Sequence, residues 1–174
     1  MRIMHIIPLI LFSVIIAFAI VSLLENKNTL PQSRMIGKEI PSFELPIALE
    51  KDKTLKIESL RGKYFLLNIF ASWCITCKVE HPSLMAIKKQ NIIPIYGIDW
   101  KDSAEELKKL LDKSGNPYEK ILDDKDGKAI IALGVTGAPE SFLISPEGKI
   151  LVHYMGPITD EIFKNEIMPI IGVK

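Results

Sequence analysis

The chain has 174 residues, with 22 Lys and Arg against 21 Asp and Glu, a net charge of +1, and 48% hydrophobic residues. This hydrophobicity excludes a disordered chain, and the charge balance lacks the basic excess of a nucleic-acid-binding surface, so no nucleic-acid partner is expected. Two cysteines are too few for a disulfide-stapled mini-scaffold or for a complete four-cysteine zinc or iron–sulfur site.

Ile6 to Leu24 (IIPLILFSVIIAFAIVSLL) is nineteen residues without a charge. As a helix it spans roughly 28 Å, close to the thickness of a bilayer's hydrocarbon core. Arg2 and the terminal amine precede it and put the N-terminus on the cytoplasmic side. A buried core helix would show an amphipathic face, and none is present. A cleaved signal peptide would end at Ala17-Phe18-Ala19, but Ile20, Val21, Leu23 and Leu24 carry the apolar run past that point. Residues 1–24 therefore read as an uncleaved membrane anchor. Residues 25–39, polar and containing Pro31 and Gly37, read as a tether, and 40–174 as one α/β domain facing an oxidising compartment.

Within that domain, Phe43 to Leu45 and Thr54 to Ile57 read as short strands forming a hairpin. Tyr64 to Phe70 (YFLLNIF) is nearly all apolar, as in a central strand covered on both faces. A helix is expected from about Cys74 to Gln90, kinked by Pro82, followed by a second buried strand over Ile92 to Ile98. Ser103-Ala104-Glu105-Glu106 has the form of a capping box, and Leu107, Leu110 and Leu111 give the helix behind it one apolar face. Gly115-Asn116-Pro117 ends that helix. Lys128 to Leu133 reads as a short helix. Ser141 to Ile144 and Lys149 to Tyr154 read as strands joined by a type I turn at Ser145-Pro146-Glu147-Gly148. A last helix is expected from Thr159 to about Ile171. The sum is a central mixed β-sheet flanked by helices.

The chemistry concentrates in Trp73-Cys74-Ile75-Thr76-Cys77, where a buried strand gives way to a helix. Only about 3% of an ordinary thiol is thiolate at pH 7. Unpaired N–H groups in the first helical turn stabilise an anion there. Cys74 is then the exposed nucleophile, and Cys77, one turn inward, resolves the mixed disulfide. Three other readings compete. A structural disulfide closing so short a ring would constrain the unfolded chain little. A zinc site built on Cys74, Cys77 and His81 lacks an adjacent fourth ligand, so no metal is expected. Covalent haem attachment needs His directly after the second cysteine, where Lys78 stands. No organic cofactor is expected either, since the cysteine pair itself carries two electrons.

WCITC, Pro82 and the later GVTGAPESFLI resemble a thioredoxin-fold protein. More closely, LLNIFASWCITCKVEHPSL, SGNPYEKILDD and LGVTGAPESFLISPEGKI resemble the DsbE/CcmG family of membrane-anchored thioredoxins of cytochrome c maturation, over about Ile36 to Ile171. The resemblance implies a thioredoxin-like fold preceded by one transmembrane helix. It also implies a reductant of the haem-binding cysteines of apocytochrome c or of a CcmH-type thiol partner, fed by a transmembrane donor of the DsbD or CcdA type. Pro139 would be cis, packed against Cys74, with Trp73, Ala138 and Pro139 meeting substrate. Asn68 stands where ordinary thioredoxins carry a buried Asp, and Glu80, three residues past Cys77, is the expected proton acceptor in its place. His81 and His153 read as surface or packing residues, and Asp99, Asp102, Asp123, Asp124 and Asp126 mostly as a solvated face. Alternatives of other kinds are a TlpA- or ResA-like reductant serving copper delivery or other substrates, a non-catalytic adaptor, and a copper-binding protein.

Overall fold

The computed structural model describes residues 3–25 and 34–173, so residues 26–33 of the expected tether lie outside the described residues. Two compact units divide the chain, Met1–Gln32 and Ser33–Lys174. The first holds helix α1, Ile3–Glu25. Its side chains are described only at Pro8 and from Leu11 to Val21, and these are exposed. Among the described residues no helix is long and apolar enough to cross a membrane.

The second unit is a thioredoxin-like α/β fold. A hairpin of β1 (Glu44–Pro46) and β2 (Thr54–Lys56) pairs antiparallel. A single 3-10 turn, Ile57–Leu60, follows it. Five strands then form the central sheet in the order β5-β4-β3-β6-β7. These are β3 (Phe65–Phe70), β4 (Ile95–Trp100), β5 (Lys120–Asp124), β6 (Glu140–Ile144) and β7 (Ile150–Met155). The β3, β4 and β5 neighbours pair in parallel, whereas β6 runs antiparallel to β3 and to β7. The sheet is therefore mixed, as the parallel crossovers followed by a late hairpin require.

Every residue of β3 is buried, because the strand lies at the centre with a layer of side chains on each face. Its side chains alternate between those layers. Phe65, Leu67 and Ile69 join Ile57, Ile98, Phe142 and Ile144. Leu66 and Phe70 join Leu84, Ile87, Leu107 and Phe163, on the face covered by helix α2 (Ile75–Gln90). Asn68 shares the parity of Leu66 and Phe70 and so points a polar side chain toward α2.

Several boundaries differ from the sequence reading. β4 begins at Ile95 rather than Ile92, after Pro94, which lacks the N–H a central strand needs. β5 was not anticipated; Asp123 and Asp124 mask it. Helix α3, Ala104–Ser114, starts at its Ser103 cap, whose hydroxyl accepts the Glu106 N–H at 3.2 Å. The Ser103 N–H, which a full capping box would give to Glu106, goes to Asp102 instead at 2.7 Å. Helix α4 is Lys128–Ala132. α2 runs through Pro82 without interruption. The expected C-terminal helix is only a turn, α5 (Asp160–Ile162), leading into a π-helical turn at Phe163–Ile167. Pro169 can neither donate nor fit an α-helical interior, and the backbone widens ahead of it. Upstream, the Gly37 N–H bonds Ile150 O at 2.8 Å and the Ile40 N–H bonds Gly148 O at 2.8 Å, so part of the stretch read as a tether is tied to the sheet.

Candidate active site

Cys74 is the N-cap of α2, with extended backbone and a sulfur that accepts the Cys77 N–H at 3.1 Å. The sequence folds this way because Phe70 ends the buried strand, and the turn that follows must satisfy the helix's first N–H groups. Cys74 and Cys77 form a disulfide with Cα atoms 5.3 Å apart. Cys74 was expected to be the exposed member, but the two are 6% and 5% exposed. Position separates them where exposure does not: the Cys74 sulfur occupies the helix N-terminus and lies 3.4 Å from Ala138 O.

Ala138 belongs to the loop before β6, and the Ala138–Pro139 bond is cis. Around the disulfide, Trp73, Ile75 and Val79 are all more than half exposed, forming an apolar rim. Trp73 is held in place by its indole N–H, which donates to Lys101 O at 3.2 Å, and by the Trp100 ring 5.8 Å away.

Glu80 is buried on α2, one turn past Cys77. Its carboxylate accepts the Ile158 N–H at 2.7 Å and the Asn68 amide at 3.1 Å. Burial pushes its pKa up to about 7, against the opposing pull of those two hydrogen bonds. A carboxyl that titrates near neutrality is suited to taking and returning a thiol proton. The Asn68 amide also donates to Ser141 Oγ at 3.0 Å, and its carbonyl oxygen accepts from Tyr118 OH at 2.8 Å. Tyr118 arrives from the Gly115-Asn116-Pro117 turn, stacks on Phe70 with ring centres 4.6 Å apart, and is anchored by an Asn116 side chain that accepts the Tyr118 N–H. The turn itself is clasped to α2 by His81, at 3.0 Å from Gly115 O, and by Lys88, which donates to Asn116 O at 2.8 Å. His81 therefore faces a carbonyl and is not aimed at the cysteines as a ligand. Among the described residues no group of three or more His, Cys, Asp or Glu gathers to hold a metal ion.

The acidic residues divide. Asp99 and Asp124 are buried, correcting the expectation of a solvated face. Asp124 caps α4, accepting the Lys128 and Ile130 N–H groups at 2.9 and 3.0 Å. Asp99 is pushed up to about 8, first by burial and then by the neighbouring charges of Asp102 and Asp123. Asp102 accepts the Ser72 N–H at 2.5 Å, steadying the backbone just ahead of Trp73. A further buried carboxylate, Glu140, follows Pro139 directly. Sequence reasoning missed it, although its place beside the proline was a usable signal.

A family model described as the AhpC/TSA family matches residues 36–153. The thiol:disulfide interchange protein DsbE of Pseudomonas fluorescens biotype C is 41% identical over 166 residues, covering 95% of this chain and 92% of that protein. This chain belongs to the AhpC/TSA family and, within it, to the DsbE thiol:disulfide interchange proteins. The thiol:disulfide interchange protein HelX of Rhodobacter capsulatus is 32% identical over 166 residues, covering 95% of this chain and 93% of that one. A crystal structure from Chlorobium tepidum, also described as a DsbE, superposes with a TM-score of 0.66 at 26% identity, covering 79% of this chain and 98% of the other. The chain is a thiol:disulfide oxidoreductase, and Cys74 and Cys77 are positioned as a thioredoxin-like redox pair.

Proposed function

We propose that this chain is a membrane-anchored reductant that keeps the haem-binding cysteines of apocytochrome c, or of a CcmH-type thiol partner, reduced during cytochrome c biogenesis. The carrying observation is the Cys74 sulfur at the N-cap of α2, facing the Ala138 backbone of the cis-proline loop. The kinship with DsbE and HelX proteins supports it. In the forward reaction the Cys74 thiolate attacks the substrate disulfide, forming a mixed disulfide and releasing one substrate thiolate, which takes a proton from water. Cys77 passes its proton to Glu80 and attacks Cys74. The second substrate thiolate leaves, the substrate has gained two electrons, and the pair is left as the Cys74–Cys77 disulfide. Trp73, Ala138 and Pro139 meet the substrate beside the sulfurs. A transmembrane donor of the DsbD or CcdA type returns the two electrons. The pair itself carries them, so the cycle calls for no organic cofactor or metal.

The uncharged run Ile6 to Leu24 supports an anchor in the bacterial inner membrane, with the thiol domain in the periplasm. Leu11, Phe12, Val14, Ile15 and Phe18 are exposed around α1, a distribution that suits a lipid surround.

The direction of electron flow is tested by the reduction potential of Cys74–Cys77. A value near or below about −270 mV fits a reductant, whereas one approaching −120 mV makes the protein a disulfide donor and overturns the proposal. In parallel, Cys77→Ser should trap a mixed disulfide with an oxidised Cys-x-x-Cys-His peptide, and Cys74→Ser should trap nothing. Glu80→Gln should slow resolution and remove the pH dependence near 7; an unchanged thiol titration would take Glu80 out of the mechanism.

A further inference from the structure

The loop that carries Ala138 and cis-Pro139 is held from beneath. Glu140 Oε1 accepts three hydrogen bonds from it: the Thr136 N–H at 2.9 Å, the Thr136 hydroxyl at 2.8 Å and the Gly137 N–H at 3.0 Å. The other carboxylate oxygen, Oε2, lies 2.6 Å from His153 Nε2. A carboxylate only accepts, so the imidazole proton sits on Nε2 and His153 donates. His153 and Glu140 side chains are 2% and 3% exposed. Nδ1 of His153 has no hydrogen-bond partner among the described residues. The ring itself stacks on Phe142, with centres 4.0 Å apart and planes 20° from parallel. Phe142 and His153 are register partners across β6 and β7. A rigid ladder position thus aims one N–H at the carboxylate that binds the loop.

Burial raises the proton affinity of Glu140, and the hydrogen bonds from His153 and Thr136 more than offset it, holding the carboxyl below its usual range. Ionised, Oε1 keeps its full capacity for the loop's three donors. Without His153, a buried carboxylate oxygen would have no partner, and the carboxylate would be driven toward protonation or rotation away from the loop.

We infer that His153 is a positioning residue for substrate: through Glu140 it fixes the loop whose Ala138 backbone receives the incoming polypeptide. The inference rests on the proposed use of that loop as the substrate platform. It assigns the residue to binding, not to sulfur chemistry, because His153 touches neither cysteine and acts through Glu140 alone.

The test uses the reduced full chain and an oxidised, disulfide-bonded Cys-x-x-Cys-His peptide, following oxidation of the protein against peptide concentration. His153→Phe keeps the stack on Phe142 and removes the donor. It should raise the half-saturating peptide concentration about tenfold, the loss expected from one charge-assisted hydrogen bond transmitted in part, with the limiting rate and the Cys74–Cys77 potential unchanged. His153→Gln, whose amide reaches as far as Nε2 and donates, should restore wild-type saturation. A merely structural role would lower thermal stability in both variants without this separation. If His153→Phe is too unstable to study, Glu140→Met combined with His153→Phe leaves no buried charge alone and should show the same rise. Saturation within twofold of wild type in folded His153→Phe or in the folded double variant, or no difference between His153→Phe and His153→Gln, overturns the inference. Failure of Cys77→Ser to trap the same peptide would instead count against the proposed function.

Discussion

Replacing Asp99 by Asn should remove a pH dependence of stability that the wild-type chain carries above pH 5. Asp99 is 2% exposed, and one of its oxygens, Oδ1, has no hydrogen-bond partner among the described residues. Burial, with the charges of Asp102 and Asp123 beside it, pushes its pKa from an ordinary 3.8 up to about 8. A carboxyl whose folded pKa is raised binds its proton more tightly folded than unfolded. Its contribution is therefore complete below the unfolded value and is lost as pH rises through the folded one. Between pH 5 and pH 8 the folded state retains the proton while the unfolded chain has released it, so stability falls by about 1.4 kcal/mol per pH unit. The accumulated loss over that interval is about 3 to 4 kcal/mol. Asn has the same shape and cannot ionise. Urea unfolding of wild type and Asp99→Asn at pH 5, 6, 7 and 8 measures the difference directly. With a slope of about 1.5 kcal/mol per molar urea, the two midpoints should diverge by about 2 M between the extremes. Glu80 also titrates upward-shifted, but it is present in both proteins and cancels. Midpoint curves that run parallel from pH 5 to pH 8 would refute the reasoning.

Two further outcomes follow from the packing and from the loop. Gly97 faces Asn68 across β3 and β4, and a Cβ there would meet the Phe70 ring at 2.7 Å and the Tyr118 ring at 3.1 Å; Gly97→Ala should cost about 1 to 3 kcal/mol by chemical denaturation and separate the stacked rings, seen as a changed near-ultraviolet circular dichroism signal. Glu140, held below its usual range, contributes stability above its unfolded pKa of about 4.5 and loses it as pH falls. Glu140→Gln should therefore flatten acid unfolding below pH 4.5, whereas an unaltered acid midpoint would show that the carboxylate is not held by its donors.

Local signals carried much of the fold. The seven-residue apolar run, the Ser103 cap and the Ser145–Gly148 turn each encode their geometry in a few neighbouring residues, and Gly148 indeed has φ near 89° while its N–H bonds Ser145 O. β5 escaped because what makes Lys120–Asp124 a strand is pairing with β4, a partner remote in sequence, and its two aspartates read as surface. The burial of Asp99 and of Glu140 escaped for a related reason. A charged residue in a strand gives no local sign of which side chains will enclose it; Glu140 is enclosed by a loop before it and His153 thirteen residues after it. Cys74 and Cys77 were legible because their chemistry depends on a helix start that the chain itself announces. Glu80 was singled out through the resemblance, because Asn68 has no ionisable group, but its burial against Asn68 and the Ile158 N–H needed the tertiary structure. The Asn68–Tyr118 contact needed the tertiary structure.

The bridges that fasten the sheet's margins have a consequence for how this oxidoreductase meets other polypeptides. Ile47 bridges Leu122 and the Ala48 N–H bonds Ile121 O on β5, while Lys38 O accepts the Ile150 N–H and Glu39 bridges Lys149 beside β7. An uncovered sheet margin is a template on which any extended polypeptide can add itself by backbone pairing, whatever its side chains. Here segments of the same chain already occupy those stretches. Other polypeptides and neighbouring copies are thereby denied those stretches as a template for backbone pairing.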